Sequence, residues 1–392
     1  MIRIKIRVIF IFFLLSTLFC CFSSFLSCPL IYASSFPKYK GLNKVRVLLD
    51  SSLKQATITT FKPSVLLNPD SGSVVSDNRI LKGFEVAVRE AGLSLNKKQT
   101  ALSKIRIIPQ SEGMIEINDQ IFRGSIDVVK RKNRLNLINT LTIENYLVSV
   151  VTGEMSQKAP LEALKAQAVA ARTYTLYSML KSRDKEYDLN KVAQCYKGVK
   201  NETSQSDKAV NLTKGEIMIY GNNEIFPSFF HSVCGGATEY AGNVWKGAEY
   251  PLSVKCPYCK GAEHFGWRAV IDLKEIKKKL KENGYKVGDI QSISRHKVSK
   301  VSDRVTSIRI NSSGNRELTI RTNEFRNIIG ADYLRSTNFL VRISRGKAVF
   351  DGFGWGHGVG MCQAGAIKLA EMGWNYKKIL QYYYPGVRFT NM

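Results

Sequence analysis

From Pro160 the chain runs Leu161-Glu162-Ala163-Leu164-Lys165-Ala166-Gln167-Ala168-Val169-Ala170-Ala171, placing five alanines in nine positions. Proline suits the first position of a helix, where its missing N–H costs nothing and its φ is already helical. A helix is therefore predicted over Leu161–Met179. Side chains this small let another element approach closely, so this helix is predicted to lie at the centre of the packing. Just upstream, Glu144–Glu154 puts Leu147, Val150, Val151 and Glu154 on one helical face. These two helices constrain the rest of the chain, which must wrap around them.

The preceding third reads differently. After a short linker at 34–43, Lys44–Leu49 (KVRVLL) alternates charged and apolar residues. Ser103–Ile108 and Gly113–Ile117 are further short alternating runs between turn-forming residues. Residues 34–140 are predicted to be β-rich, with a change of pattern near Leu141. Mixed strands and loops follow to about Phe350, and short helices are expected around Gln363–Met372 and Tyr376–Tyr383. No internal repeat or low-complexity tract appears. The expectation is an α+β fold: a β-rich N-terminal part and a helical catalytic core at 141–392.

Residues 1–33 have the layout of an export segment. Arg3, Lys5 and Arg7 precede an uncharged stretch, Val8–Leu26, which reads as a signal peptide or a retained membrane anchor. Cys28 is a poor lipid-acceptor site. Localisation is expected to be exported, in the periplasm or cell envelope. The 58 basic and 32 acidic residues give a net charge of +26, which calls for an anionic partner. Export argues against nucleic acid, and no nucleic-acid-binding signature is present. Lys274–Lys281 (KEIKKKLK) reads as a solvated amphipathic helix resting on Leu273, Ile276 and Leu280.

Three segments carry chemical groups. Glu154 ends its helix before an irregular connection, either as a surface glutamate or as a carboxyl at a mouth between helices; desolvation there would raise its pKa and make it a proton donor. Arg172 either orients a ligand or pairs with a buried carboxylate. Glycine occupies every second position from Gly352 to Gly360. In an extended strand this makes one face bare backbone and sends Trp355 and His357 to the other. Of eight cysteines, Cys20, Cys21 and Cys28 lie in the export segment. Cys195, Cys234, Cys256, Cys259 and Cys362 remain, an odd number that a pure disulfide framework does not absorb. His231-x2-Cys234 and Cys256-x2-Cys259 have the spacing of a closed, structural zinc site, with His264 as a possible substitute ligand. The alternative is a disulfide between two of these cysteines.

ENYLVSVVTGEM, PLEALKAQAVAARTY, Gln194-Cys195-Tyr196-Lys197-Gly198, HSVCGGATEYAGNVW, GWGHGVGMCQAGA and YYYPGV stand in that order. In these words the chain resembles the SpoIID/LytB (stage II sporulation protein D) family, from about Leu141 to Val387. The resemblance implies a lytic transglycosylase acting on peptidoglycan glycan strands, preferably free of stem peptides. Glu154 matches the family's acid. Arg172, Gln194, Tyr196, Trp355, His357 and Gln363 are expected to bind substrate. Some members bind zinc through a histidine and cysteines in the region matching His231–Cys259. Others are described as amidase enhancers, so an N-acetylmuramoyl-L-alanine amidase is the alternative partner. The chain departs from the family pattern at Cys362-Gln363-Ala364, where Ser-Gln-Tyr is usual, and at Ser156, where proline is usual. Cys362 is not expected to be a nucleophile, since it stands in place of a small serine.

Overall fold

The computed structural model describes residues 39, 41–248 and 252–392; the export segment expected at 1–33 lies outside them. Among the described residues no helix is long and apolar enough to cross a membrane. The fold is α+β, as the two periodicities imply.

Lys44–Asp50 buries Val45, Val47 and Leu49 on one face and pairs antiparallel with Arg134–Thr142. These strands belong to a seven-stranded sheet. A six-stranded sheet, built around Gln55–Thr60, completes the β-rich third. The last residue of the Arg134–Thr142 strand caps the next element. Asn145 N–H donates to the Thr142 hydroxyl at 3.2 Å, starting helix α1 (Ile143–Glu154). Twelve residues then carry the chain about 18 Å from the sheet, at 1.5 Å per residue, and leave Glu154 at the far end.

Helix α2 (Leu161–Lys181) begins after Pro160, which caps the helix instead of forming its first turn. Ala163, Ala166, Ala168, Ala170 and Ala171 are all fully buried. The helix touches α1, the helices Ser204–Leu212, Gln363–Glu371 and Tyr376–Tyr383, and the strand Glu216–Ile219. Close approach is what small side chains permit: the Ser228 hydroxyl reaches the Ala170 carbonyl at 2.8 Å. The inner faces of both sheets and these helices share one hydrophobic core.

Residues 266–353 form a unit around a second core, with Trp267, Ile308, Phe325 and Phe350 at its centre. Its first and last strands, Gly266–Asp272 and Lys347–Phe353, pair antiparallel, setting Gly266 opposite Phe353. The lysine-rich segment is the helix Leu273–Glu282, which buries Ile276 and Leu280. Two buried polar groups join this unit to the rest. Glu239 accepts hydrogen bonds from the Ser299 and Ser302 hydroxyls, and Arg304 donates to the carbonyls of Cys234 and Gly356.

Arg172 is fully buried in α2. Its guanidinium donates to both carboxylate oxygens of Glu144 (3.0 and 2.7 Å) and to the carbonyls of Glu216 and Val210. Arg172→Met would take the cation from the Glu144 carboxylate, which would keep only the Gly215 N–H at 3.1 Å. Breaking such a pair typically costs about 3–5 kcal/mol, and denaturant unfolding should show a loss of that order. A change below about 1 kcal/mol, the range of exposed pairs, would mean that Arg172 does not clamp the helices.

Candidate active site and four-thiol centre

At the C-terminal end of α1, Glu154 is half-buried. The Cys195 N–H donates to Oε1 at 2.7 Å and the Gln363 side-chain amide donates to Oε2 at 3.2 Å. Gln363 Nε2 also lies 3.4 Å from Gln167 Oε1 on α2. Gly153 allows the 194–198 segment to come this close, since a Cβ there would stand 2.1 Å from the Cys195 carbonyl. Desolvation raises the pKa of Glu154, partly offset by its two hydrogen bonds. A cavity of about 370 Å³ opens beside it, lined by Gln120, Lys191, Val192, Cys195, Tyr196 and Lys197 as well. Glu154 is the one carboxylate in this lining. Neither lysine forms a salt bridge among the described residues.

The other residues expected to bind substrate divide into two groups. Gln363 meets Glu154 directly, and Tyr196 lines the cavity while its hydroxyl donates to Asn139 at 2.7 Å. Arg172 and Gln194 do not reach the cavity. Arg172 pairs with the partly buried carboxylate of Glu144. The Gln194 amide is buried between the Tyr146 and Thr175 hydroxyls and the Ala171 carbonyl. What this segment presents to Glu154 is the backbone N–H of Cys195. Trp355 packs against His264 and lies under the Arg335 guanidinium. His357 sits against Phe229, His231 and Trp245.

The glycine-rich segment differs from the extended strand expected. The strand stops at Phe353, and Gly354, Gly356, Gly358 and Gly360 all have positive φ, from +72° to +103°. Positive φ is nearly free only for glycine, so the segment coils as a loop against residues 229–235. A Cβ on Gly360 would stand 1.9 Å from the Phe229 carbonyl, and one on Gly358 would be 2.4 Å from the Arg304 guanidinium. Close approach is indeed what the glycines serve. The loop's contact with Glu154 comes from the residue following it in the chain sequence of Met361, Cys362 and Gln363.

The expected zinc ligands are changed in one member. The sulfurs of Cys234, Cys256, Cys259 and Cys362 lie within 4.8 Å of one another, all buried, and all four are free thiols. His231 is outside the group: its Nδ1 is 3.0 Å from the Val359 carbonyl, and its buried Nε2 has no hydrogen-bond partner. His264 contacts Trp355 instead. Cys362 takes the fourth place because the parallel pairing of Phe230–His231 with Met361–Cys362 carries it there. Sulfurs about 2.3 Å from a tetrahedral zinc are separated by about 3.8 Å, and the spread of these four fits such an ion. Spacing could not show this, since Cys362 lies 103 residues after Cys259; its odd number among the five cysteines was the available signal.

The family described as "Stage II sporulation protein" (SpoIID) matches residues 131–220, and a domain of unknown function (DUF8618) matches 258–360. An uncharacterized protein of Brachyspira hyodysenteriae is 33% identical over 90% of this chain and 95% of its own length. An amidase enhancer of Bacillus subtilis is 28% identical over 62% of this chain, which spans 40% of that relative. Stage II sporulation protein D of Bacillus subtilis is 30% identical over 77% of this chain and 88% of its own length. The chain belongs to the SpoIID/LytB (stage II sporulation protein D) family.

Proposed function

We propose that the protein is an exported lytic transglycosylase that cleaves peptidoglycan glycan strands, preferably peptide-free, with Glu154 as its acid and base. Family membership gives the chain a cell-wall-related role. The observation that carries the finer reading is a desolvated carboxyl, alone of its kind in the lining of an open cavity. Glu154 protonates the glycosidic oxygen as the bond to the anomeric carbon breaks. The resulting carboxylate takes the proton of the muramoyl C6 hydroxyl, whose oxygen attacks the same anomeric carbon. The product is a 1,6-anhydromuramoyl end, and the acid is restored. Since the nucleophile is part of the substrate, no second carboxylate is needed to activate water, unlike the two-carboxylate schemes of ordinary glycosidases. The Cys195 N–H and the Gln363 amide steady the carboxylate between the two proton transfers.

The amidase-enhancer relative favours a second reading, in which the cavity binds glycan without cutting it and an N-acetylmuramoyl-L-alanine amidase is the partner. An N-terminal signal peptide or membrane anchor would place either activity in the cell envelope. We further propose that Cys234, Cys256, Cys259 and Cys362 hold a structural zinc ion. Four thiolates would fill its coordination and leave no position for substrate.

Glu154→Gln decides between the two readings. Wild type should release anhydromuramoyl ends from peptide-free strands, and the variant should do so about 10²–10⁴-fold more slowly, the usual contribution of a general acid. Intact strands from both, with faster turnover by an added amidase, would establish the enhancer; reducing ends would mean hydrolysis.

The raised pKa also makes a prediction about stability. Burial penalises the ionised form, so the folded protein loses stability as pH rises from the ordinary glutamate range through the elevated pKa of Glu154. Glu154→Gln should therefore melt higher than wild type at pH 7–8, and the gap should close near pH 4, where both folded and unfolded glutamates are protonated. A gap independent of pH would show that desolvation is not the cause.

For the metal, elemental analysis should find about one zinc per chain, the stoichiometry of a four-cysteine site. A strong chelator should lower the melting temperature. Cys362→Ser should weaken zinc retention, whereas His231→Gln should leave the zinc content unchanged.

A further inference from the structure

A second cavity is remote from the lining of Glu154. It encloses about 580 Å³ where the 266–353 unit meets the segment around Trp245, and Trp245, Asn283, Tyr285, Arg321, Asn323 and Asn327 line it. A second hollow of about 350 Å³ adjoins it, lined by Asn243, Lys297, Ser307 and Thr319 among others. Arg321 belongs to both linings. Its guanidinium is braced by the carbonyls of Gly242 and Asn243, each at 3.2 Å, so it stands as a fixed post between the two spaces. The Ser307 hydroxyl is buried and has no hydrogen-bond partner among the described residues.

We propose that these two hollows form a second, non-catalytic binding track for a linear saccharide, specifically a peptide-free glycan strand. The claim rests on the glycan-strand reading of the Glu154 cavity. Two spaces joined at one residue suit a polymer better than a compact ligand. The lining suits a sugar chain: an indole and a phenol offer apolar surface for ring C–H groups. Four asparagine amides, of Asn243, Asn283, Asn323 and Asn327, offer paired donors and acceptors for hydroxyl and acetamido groups. Removing a stem peptide leaves a free lactyl carboxylate on each muramoyl residue. Lys246, Arg321 and Lys297 outnumber Glu324 in the two linings, and the Glu324 carboxylate is already engaged by the Tyr285 hydroxyl. A polyphosphate would be matched by a denser cluster of cations than this, with fewer amides. Trp245 also packs on Phe229 and His357, with ring centres 4.6 and 4.8 Å apart, so the track begins beside the glycine loop that leads to Gln363.

The test separates binding from cleavage. The full chain carrying Glu154→Gln, in which cleavage is slowed, is titrated into fluorescently labelled peptide-free glycan strands and read by anisotropy. Asn327→Ala together with Lys297→Ala, both exposed positions in different linings, should weaken binding about tenfold or more, equivalent to about 1.4 kcal/mol. Asn283→Ala, on a third element, should act in the same direction, and thermal melts establish that all variants are folded. Unchanged affinity in the variants, no binding by the Glu154→Gln chain, or tighter binding of a glycerol-phosphate polymer would each overturn the proposal. If the variants weaken binding but wild type yields no anhydromuramoyl ends, the track stands and the transglycosylase reading falls.

Discussion

The sulfurs of Cys234, Cys256, Cys259 and Cys362 bring three stretches of chain to one point, the last of them 103 residues beyond Cys259. Cys362 then acts on its own helix: its sulfur accepts the Gly365 N–H at 3.4 Å and caps Gln363–Glu371. The first residue of that helix is Gln363, whose amide reaches Glu154. One side of the acid's environment is thus positioned by a sulfur cluster. The other side is positioned by a strand that ends in a helix cap at Thr142, and by the Arg172–Glu144 pair that joins α1 to α2. The carboxylate lies where these two constraints meet.

Their opposing electrostatic demands are visible at Glu154 itself. Two donors fix the orientation of the carboxylate and favour its charged form, while burial favours the neutral acid and is the larger influence. The proposed cycle draws on both influences: burial favours the protonated form that gives up a proton, and the two donors favour the carboxylate that retrieves one. At Arg172 burial is complete, but a bidentate carboxylate and two carbonyls meet the guanidinium, and the low-dielectric surroundings yield a rigid joint.

Features that depend on local periodicity were legible in the sequence. Val45, Val47 and Leu49 alternate and are buried together; the alanine helix is central; the helices near Gln363 and Tyr376 begin where expected. The glycine segment was harder to read. Alternation is compatible with an extended strand, but equally with a coil of positive-φ residues, and only the neighbouring backbone of residues 229–235 decides between them. The same limit applies to the thiols and the cavity. Cys362 and His231 are adjacent strand partners, and spacing cannot say which side chain points toward Cys234. Gln120 and the 191–197 segment come to Glu154 from different parts of the fold, and neither Gln120 nor Lys191 has a local signature. Nothing in the sequence pattern distinguished Arg172 as a joint from Arg172 as a ligand, because Glu144 lies 28 residues away.

The pairing of Gly266 with Phe353 has a consequence for how this chain is assembled. Entry to and exit from the 266–353 unit lie side by side on one pair of strands, and the unit has its own core. To the surrounding fold it is a graft held at two neighbouring points. Lengthening, shortening or replacing it changes the closure entropy of the host only slowly, and such two-point insertions are tolerated in many domains. The helices and sheets that position Glu154 are therefore free to keep one geometry while the inserted unit varies, and a change in that unit's surface need not disturb Glu154.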